Sequence, residues 1–171
     1  MLELSLGQAV VREFDLADAP SLARHADDRR IWLQVRDALP HPYLEAHAVA
    51  YIESVRAQKP PTAFAIAVGG QAVEAIALTV QTDVNRVSAE LGYWLGAAYW
   101  GRGSATRAVS AVTRWGIDEL RLTRVFATPF AQNLASCRVL EKAGFAREGV
   151  MRRSAMKDGR VIDQVMYAYV V

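Results

Sequence analysis

The chain has little of what disulfide scaffolds, metal sites and membrane spans are built from. Its 171 residues contain one cysteine, Cys137, and three histidines, His25, His41 and His47. One cysteine excludes an internal disulfide and points to a reducing compartment, so a cytoplasmic location is expected. No two histidines stand four residues apart and no cysteine pair exists, so no metal site is expected. No apolar run approaches the ~18 residues of a membrane span, and no membrane partner is expected. The N-terminus lacks a basic stretch followed by an apolar segment, so no secretory signal is expected.

Lysine is scarce too: 3 against 17 arginines. Net charge is only +2, too small to argue for a nucleic-acid partner. The charge is unevenly spread, however. From Gly101 to Arg153 nine arginines and one lysine face four carboxylates, and the rest of the chain has a surplus of acids. Such asymmetry suggests an anionic partner for the basic third. The composition is 52% hydrophobic and 22% charged, as in ordinary globular domains. A chain of this length is expected to fold as a single domain over residues 1–171, burying roughly 70% of its extended surface.

Periodicity sets out the elements. Leu4 to Phe14 reads as one strand, and Asp15 to Asp18 offers caps for a helix over Ala19 to Ala26. Asp27 to Pro42 is expected to be a short helix and a loop, followed by a helix from Leu44 to Gln58. Ala63 to Val68 and Ala72 to Thr82 read as a hairpin around Gly69-Gly70. Val87 to Leu95 alternates cleanly, with Glu90 and Trp94 on one face and Leu91 and Tyr93 on the other. Ser104 to Leu120 is the best amphipathic helix. A strand over Thr123 to Thr128 and a helix over Leu134 to Ala143 follow, with Gly144 at a left-handed cap position. Two final strands, Phe145 to Met156 and Val161 to Val170, flank the hairpin signal Asp158-Gly159. The order implies an α/β (α+β) chain, a mixed sheet with helices packed against it.

The segment from Gly96 to Thr106 joins a strand to the strongest helix. Such a junction presents free backbone N–H groups and the positive end of the helix dipole. Glycines at 101 and 103 would let the backbone approach a phosphate closely. The spacing is neither a P-loop, because Arg102 and Gly103 stand at the Lys and Ser/Thr positions, nor a G-x-G-x-x-G fingerprint, because Thr106 replaces the last glycine.

Four segments in order resemble one family. They are Leu39-Pro-His-Pro-Tyr43, Ala89-Glu-Leu-Gly-Tyr-Trp-Leu95 with Tyr99-Trp-Gly-Arg-Gly-Ser-Ala-Thr106, Asn133-Leu-Ala-Ser136 through Glu141-Lys-Ala-Gly-Phe145, and Lys157-Asp-Gly159 to Asp163. Together they resemble the GCN5-related N-acetyltransferase (GNAT) superfamily, in its RimJ/RimL-like branch, over most of the chain. Two positions depart from the superfamily pattern. Trp100 stands where its loop has Gln or Arg, and Leu140 stands where many members carry a Tyr acid.

The resemblance implies a mostly antiparallel mixed sheet, splayed, with helices on both faces. It implies acetyl-CoA as cosubstrate, held by Trp94, Leu95, Trp100, Gly101, Arg102, Gly103, Ser104, Ala105, Thr106, Asn133, Ser136 and Arg138. Asn133 fits equally well as a helix N-cap. Amine acetylation needs a neutral amine, a polarised thioester carbonyl and a proton for the departing thiolate. Glu90 is the candidate base, with Asp163 behind it, and Ser136 the candidate donor to the thiolate. Backbone N–H groups at the end of the Val87 to Leu95 strand are the candidates for polarising the carbonyl. Trp32, Pro40, His41, Pro42 and Tyr43 would flank the acceptor, with Asp163. Cys137 reads as a packed residue rather than a nucleophile.

The implied acceptor is a primary amine, on a protein or peptide N-terminus or on a small molecule. A non-catalytic acyl-CoA-binding or sensor module on the same fold is the alternative. Coenzyme A is anionic, so the basic third suits it, and the interleaved acids argue against nucleic acid. The acidic remainder would then face a cationic amine. A homodimer is compatible with the sequence.

Overall fold

The computed structural model describes residues 3–171. Its strands are β1 (Glu3–Ser5), β2 (Ala9–Arg12), β3 (Ala63–Val68), β4 (Gln71–Val80), β5 (Ser88–Leu95), β6 (Arg124–Ala127), β7 (Ala146–Lys157) and β8 (Arg160–Val170). The helices are α1 (Ala19–Ala26), α2 (Arg29–Trp32), α3 (Glu45–Arg56), α4 (Ser104–Leu120) and α5 (Leu134–Lys142). All eight strands form one sheet in the order β1-β2-β3-β4-β5-β6-β8-β7. Every pairing is antiparallel except β5 with β6, which α4 joins as a crossover.

Strand alternation sorts the core into two layers. Phe64, Ile66, Ile76, Leu78, Ala89 and Leu91 face α4 and α5, where Ala108, Val109, Val112, Cys137 and Leu140 meet them. Ala63, Ala65, Ala72 and Ala75 share the second cluster with Leu22 and Ala26 of α1 and Ala48, Ile52 and Val55 of α3. The helices therefore cover both faces of a mixed, mostly antiparallel sheet. Cys137 is buried in the first layer.

One expected element divides. Leu4 to Phe14 is not a single strand but the hairpin of β1 and β2, with Ser5 opposite Val10. Gly7 adopts φ 86°, and the Leu6 N–H donates to the Ala9 carbonyl at 2.8 Å to close the turn. Only glycine enters that region without strain, so the break lies at Gly7. At the other end of the chain, Asp158 and Gly159 both have positive φ, 49° and 71°, as a two-residue hairpin turn requires. Among the described residues no helix is long and apolar enough to cross a membrane, and no cluster of His, Cys, Asp or Glu could hold a metal ion.

Glu74 breaks the pattern of the core. It is fully buried in β4, and neither carboxylate oxygen has a hydrogen-bond partner. Burial holds its carboxyl well above the usual carboxylate range, so the folded chain keeps it protonated. In the unfolded chain the same group ionises near its ordinary value of about 4.3. Above that pH the folded state retains a proton that the unfolded state has lost, so stability falls as pH rises. The slope for one such group is about 1.4 kcal/mol per pH unit. Glu74→Gln keeps the shape of the neutral acid and removes this linkage. Thermal melts are expected to place the variant above the wild type at neutral pH, with the gap closing as pH falls toward about 4. A gap independent of pH would contradict a protonated Glu74.

Candidate active site

The site begins where two parallel strands part. β5 pairs with β6 only from Ser88 to Glu90, against Arg124 to Phe126. Beyond Glu90 it stays with β4 as far as Leu95, in unbroken register, while β6 follows β8. Residues 91–95 are left with no strand partner on the side toward β6. A cleft of about 1430 Å³ runs through this split.

Glycine geometry shapes one lip of the cleft. Gly101 and Gly103 adopt φ 77° and 74°, and Gly103 is the residue immediately before α4. No side chain caps the first turn of α4, so its leading N–H groups keep their hydrogen-bonding capacity for a ligand. Trp100, Gly101, Gly103, Ala105 and Thr106 line the cleft, whereas Arg102 and Ser104 do not. The Arg102 guanidinium instead lies over the Tyr99 ring at 5.3 Å, and the Ser104 hydroxyl is buried without a partner. The Trp100 indole N–H donates to the Leu95 carbonyl at 2.8 Å, which ties the loop to the end of β5.

The first turn of α5 forms the opposite lip. Asn133, Ser136 and Arg138 line the cleft together with Lys142, so part of the basic third faces it. Asn133 caps the helix, its Oδ1 accepting from the Ser136 N–H at 3.1 Å. The Ser136 hydroxyl lies 2.8 Å from the Tyr93 hydroxyl. Burial raises the pKa of Tyr93, so its hydroxyl stays protonated and available as a donor. Leu140 is fully buried in the core and has no proton to give.

Glu90 sits in the crotch of the split. Its Oε1 accepts from the Thr128 hydroxyl at 2.9 Å and from the Arg36 guanidinium. Its side chain is 18% exposed, whereas that of Arg36 is 65% exposed. Thr128 is held in turn by Gln164, whose amide donates to the Thr128 carbonyl at 2.9 Å. Trp94 and Leu95 also line the cleft.

The residues expected around the acceptor separate into two groups. Pro40 and Tyr43 line the cleft, with Gln34, His47 and Tyr51 beside them. Trp32, His41, Pro42 and Asp163 lie outside the lining. Trp32 is a clamp: the Lys157 ammonium sits 3.9 Å from its ring centre, and His41 stacks on it at 6.0 Å. Lys157 also donates to Asp37 at 2.6 Å, and Arg29 bonds Asp158, so the tip of the β7–β8 hairpin holds the α2 segment in place. His41 and the Tyr43 N–H both contact Asp27. Asp163 Oδ1 accepts from the Arg153 N–H at 2.7 Å within the β7–β8 ladder. Burial pushes the Tyr51 phenol up to about 12, so it is neutral near pH 7.

Sequence reasoning did not single out Arg36, Thr128, Gln34 or Tyr93. Arg36 and Gln34 lie in a loop without periodicity. Thr128 carried one signal, a polar residue between a strand end and Pro129. Tyr93 stood on the apolar face of its strand and read as core.

Comparison with known proteins defines the family. The acetyltransferase (GNAT) domain profile matches residues 9–146, and the chain belongs to this family. Over 72 residues it is 43% identical to the probable N-acetyltransferase YjcK of Bacillus subtilis, covering 42% of this chain and 40% of that protein. Over 86 residues it is 36% identical to the uncharacterized N-acetyltransferase p20 of Bacillus licheniformis, covering 50% and 48%. The matches thus span about half the length of these curated relatives. In three dimensions the chain resembles RimL, a ribosomal L7/L12 α-N-protein acetyltransferase solved with coenzyme A. The TM-score is 0.87 at 18% identity, over 99% of this chain and 98% of that one. It also resembles Mycobacterium smegmatis RimJ, with a TM-score of 0.83 at 24% identity over 95% and 82%. At these identities the likeness is one of fold, and the fold is the GNAT fold.

The contact between Tyr93 and Ser136 can be weighed directly. Tyr93→Phe and Ser136→Ala each remove one partner of the same hydrogen bond and are each expected to cost about 1 kcal/mol in urea unfolding. Because they share that bond, the double variant is expected to lose less than the two single losses combined. Additive losses would show that the bond contributes nothing.

Proposed function

We propose that the chain transfers an acetyl group from acetyl-CoA to a primary amine by direct attack. The observation that carries the reading is the convergence at one split. The uncapped N-terminus of α4, the open edge of β5, Ser136 and Glu90 all border the same cleft. The family supplies the class of reaction, and structural neighbours include proteins solved with coenzyme A or acetyl-CoA.

The residues present fit a coenzyme A molecule. Gly101 to Thr106, including Arg102 and Ser104, offer N–H groups and the positive end of a helix dipole to the pyrophosphate. Trp94, Leu95 and Trp100 would flank the pantetheine arm on one side, and Asn133, Ser136 and Arg138 on the other. The thioester supplies an activated acetyl carbonyl. The open strand edge after Glu90 can present backbone N–H groups to its oxygen. Holding the two reactants at attack distance removes much of the entropic barrier.

The amine nitrogen attacks the carbonyl carbon, a C–N bond forms and the C–S bond breaks. Glu90 takes the proton lost by the amine, through water. Ser136, backed by Tyr93, hydrogen-bonds the departing thiolate. Glu90 lines the cleft and Asp163 does not, which favours Glu90 for the base role. Tyr43 and Pro40 would border the acceptor, with Trp32 and His41 supporting them from outside the cleft. The acceptor is a primary amine of a peptide N-terminus or of a small molecule.

Free-thiol release from acetyl-CoA with a panel of amines and short peptides tests the reading, and release dependent on an amine is expected. Coenzyme A binding without transfer to any amine would replace the enzyme with a binding module. Glu90→Gln is expected to lower turnover about a hundredfold at low pH. The loss should shrink at high pH, where the amine is already neutral, with acetyl-CoA affinity little changed. Ser136→Ala is expected to lower kcat about three- to tenfold without weakening acetyl-CoA binding. A wild-type pH–rate profile in Glu90→Gln would remove the base role, and wild-type turnover in Ser136→Ala the donor role.

A further inference from the structure

The acidic surplus outside the basic third does not reach the cleft. Among the described residues that line it, Glu90 is the only carboxylate, while Arg30, Arg36, Arg138 and Lys142 are all cationic. Arg138 and Lys142 belong to α5, on the coenzyme A side. Arg36 lies beside Glu90, where an acceptor would enter, and Arg30 of α2 lies over the Trp100 ring. A cationic amine with no other charge would meet a positive entrance, contrary to the expectation drawn from the charge division.

The two arginines differ in what holds them. The Arg30 guanidinium makes three hydrogen bonds to Asp28 and lies over the Trp100 ring at 5.5 Å. Its charge is already answered by a neighbour two residues away. Arg36 has no such local partner. Its guanidinium bonds Glu90, with a long 3.4 Å contact to the Thr128 hydroxyl. Arg36 therefore engages Oε1 of the candidate base, and it does so from an exposed loop position. Gln34 also lines the cleft, but its side-chain oxygen is buried away from it, with no donor among the described residues.

We propose that Arg36 is a specificity residue that binds a carboxylate on the acceptor, so that the favoured acceptors carry a carboxylate close to the reacting amine. This rests on the acetyltransferase reading of the same cleft. Arg36 and Thr128 both bond Glu90 Oε1, so an ammonium reaching Oε2 sits beside the Arg36 cation. An acceptor with its own carboxylate removes that obstacle. The guanidinium exchanges Glu90 for the acceptor carboxylate, which its planar fork can bind through two N–H groups. Both oxygens of Glu90 are then open to the ammonium. Opposite charges alternate across the cleft in the bound state, and no net charge is buried. A polyamine has no group to give Arg36 and is disfavoured.

Matched acceptors test this, because each pair differs in one charge. Aspartyl-alanine amide is compared with asparaginyl-alanine amide, and glutamyl-alanine amide with glutaminyl-alanine amide. kcat/KM is measured for each with wild type, Arg36→Met and Arg30→Met. Wild type is expected to favour the anionic member of each pair by about tenfold or more, through KM. Arg36→Met should bring that ratio close to one, and Arg30→Met should leave it well above one. Equal rates within the pairs for wild type, or a ratio that collapses in Arg30→Met and survives in Arg36→Met, would overturn the assignment while leaving the acetyltransferase reading intact. Absence of transfer to every amine would overturn that reading, and this inference with it.

Discussion

The rest of the site depends on one event in the sheet, the parting of β5 from β6 after Glu90. A parallel pair joined by a helical crossover is ordinarily zipped along its length. Here β5 is held to β4 as far as Leu95, and β6 is drawn along β8. β6 ends at Ala127, two residues before Pro129, while β5 runs on to Leu95, so the pairing between them stops short. The split that results supplies a cleft lined by members of both core layers, among them Leu91 of the first and Leu22 and Tyr43 of the second. It also leaves an edge of backbone groups with hydrogen-bonding capacity at the centre of the molecule, where a bound ligand can use it.

Around the split, the structure assigns its polar groups economically. On the side formed by α4 and α5 the groups are backbone N–H donors, a serine, an asparagine that also caps its helix, and cations from α5. On the other side one carboxylate is set in the crotch and held by Thr128 and Arg36. The wall above it is not free to drift. Lys157 and Asp158 at the β7–β8 tip bond Asp37 and Arg29, and Trp32 is packed under the Lys157 ammonium. The last hairpin of the chain thus positions a loop more than a hundred residues earlier, a long-range contact that no local pattern encodes.

Much of the fold was legible because it rests on local chemistry. The 3.6-residue stripe of α4, the alternation of β5, the Asp158-Gly159 turn and the Gly144 cap each depend on neighbours within a few positions. The one element read as continuous, Leu4 to Phe14, failed at Gly7, where a single positive φ turns a strand into a hairpin. In the site, the glycine loop and the Asn133–Ser136 turn were legible for the same reason. Trp32 and His41 carried the right chemistry for an acceptor wall but stand outside the cleft lining, because their partners Lys157 and Asp27 draw them there. In the reading of charge by segment, part of the basic third does face the cleft, whereas the acidic surplus does not. A surplus along the chain says nothing about which carboxylates face the same cavity.

By itself, the sequence determined most of the elements, the glycine-shaped helix entrance and, through four segments, the resemblance to one family that implied helices on both faces of the sheet. The elements follow from side-chain volume, periodicity and turn chemistry, which act over short separations. Only the tertiary structure decided which groups meet. It placed the Tyr93 hydroxyl against Ser136, 43 residues away in the chain, and the Arg36 guanidinium against Glu90, 54 residues away. Both encounters depend on how strands order themselves in a sheet and where two of them part. That is a property of the whole packing, and no short segment carries it.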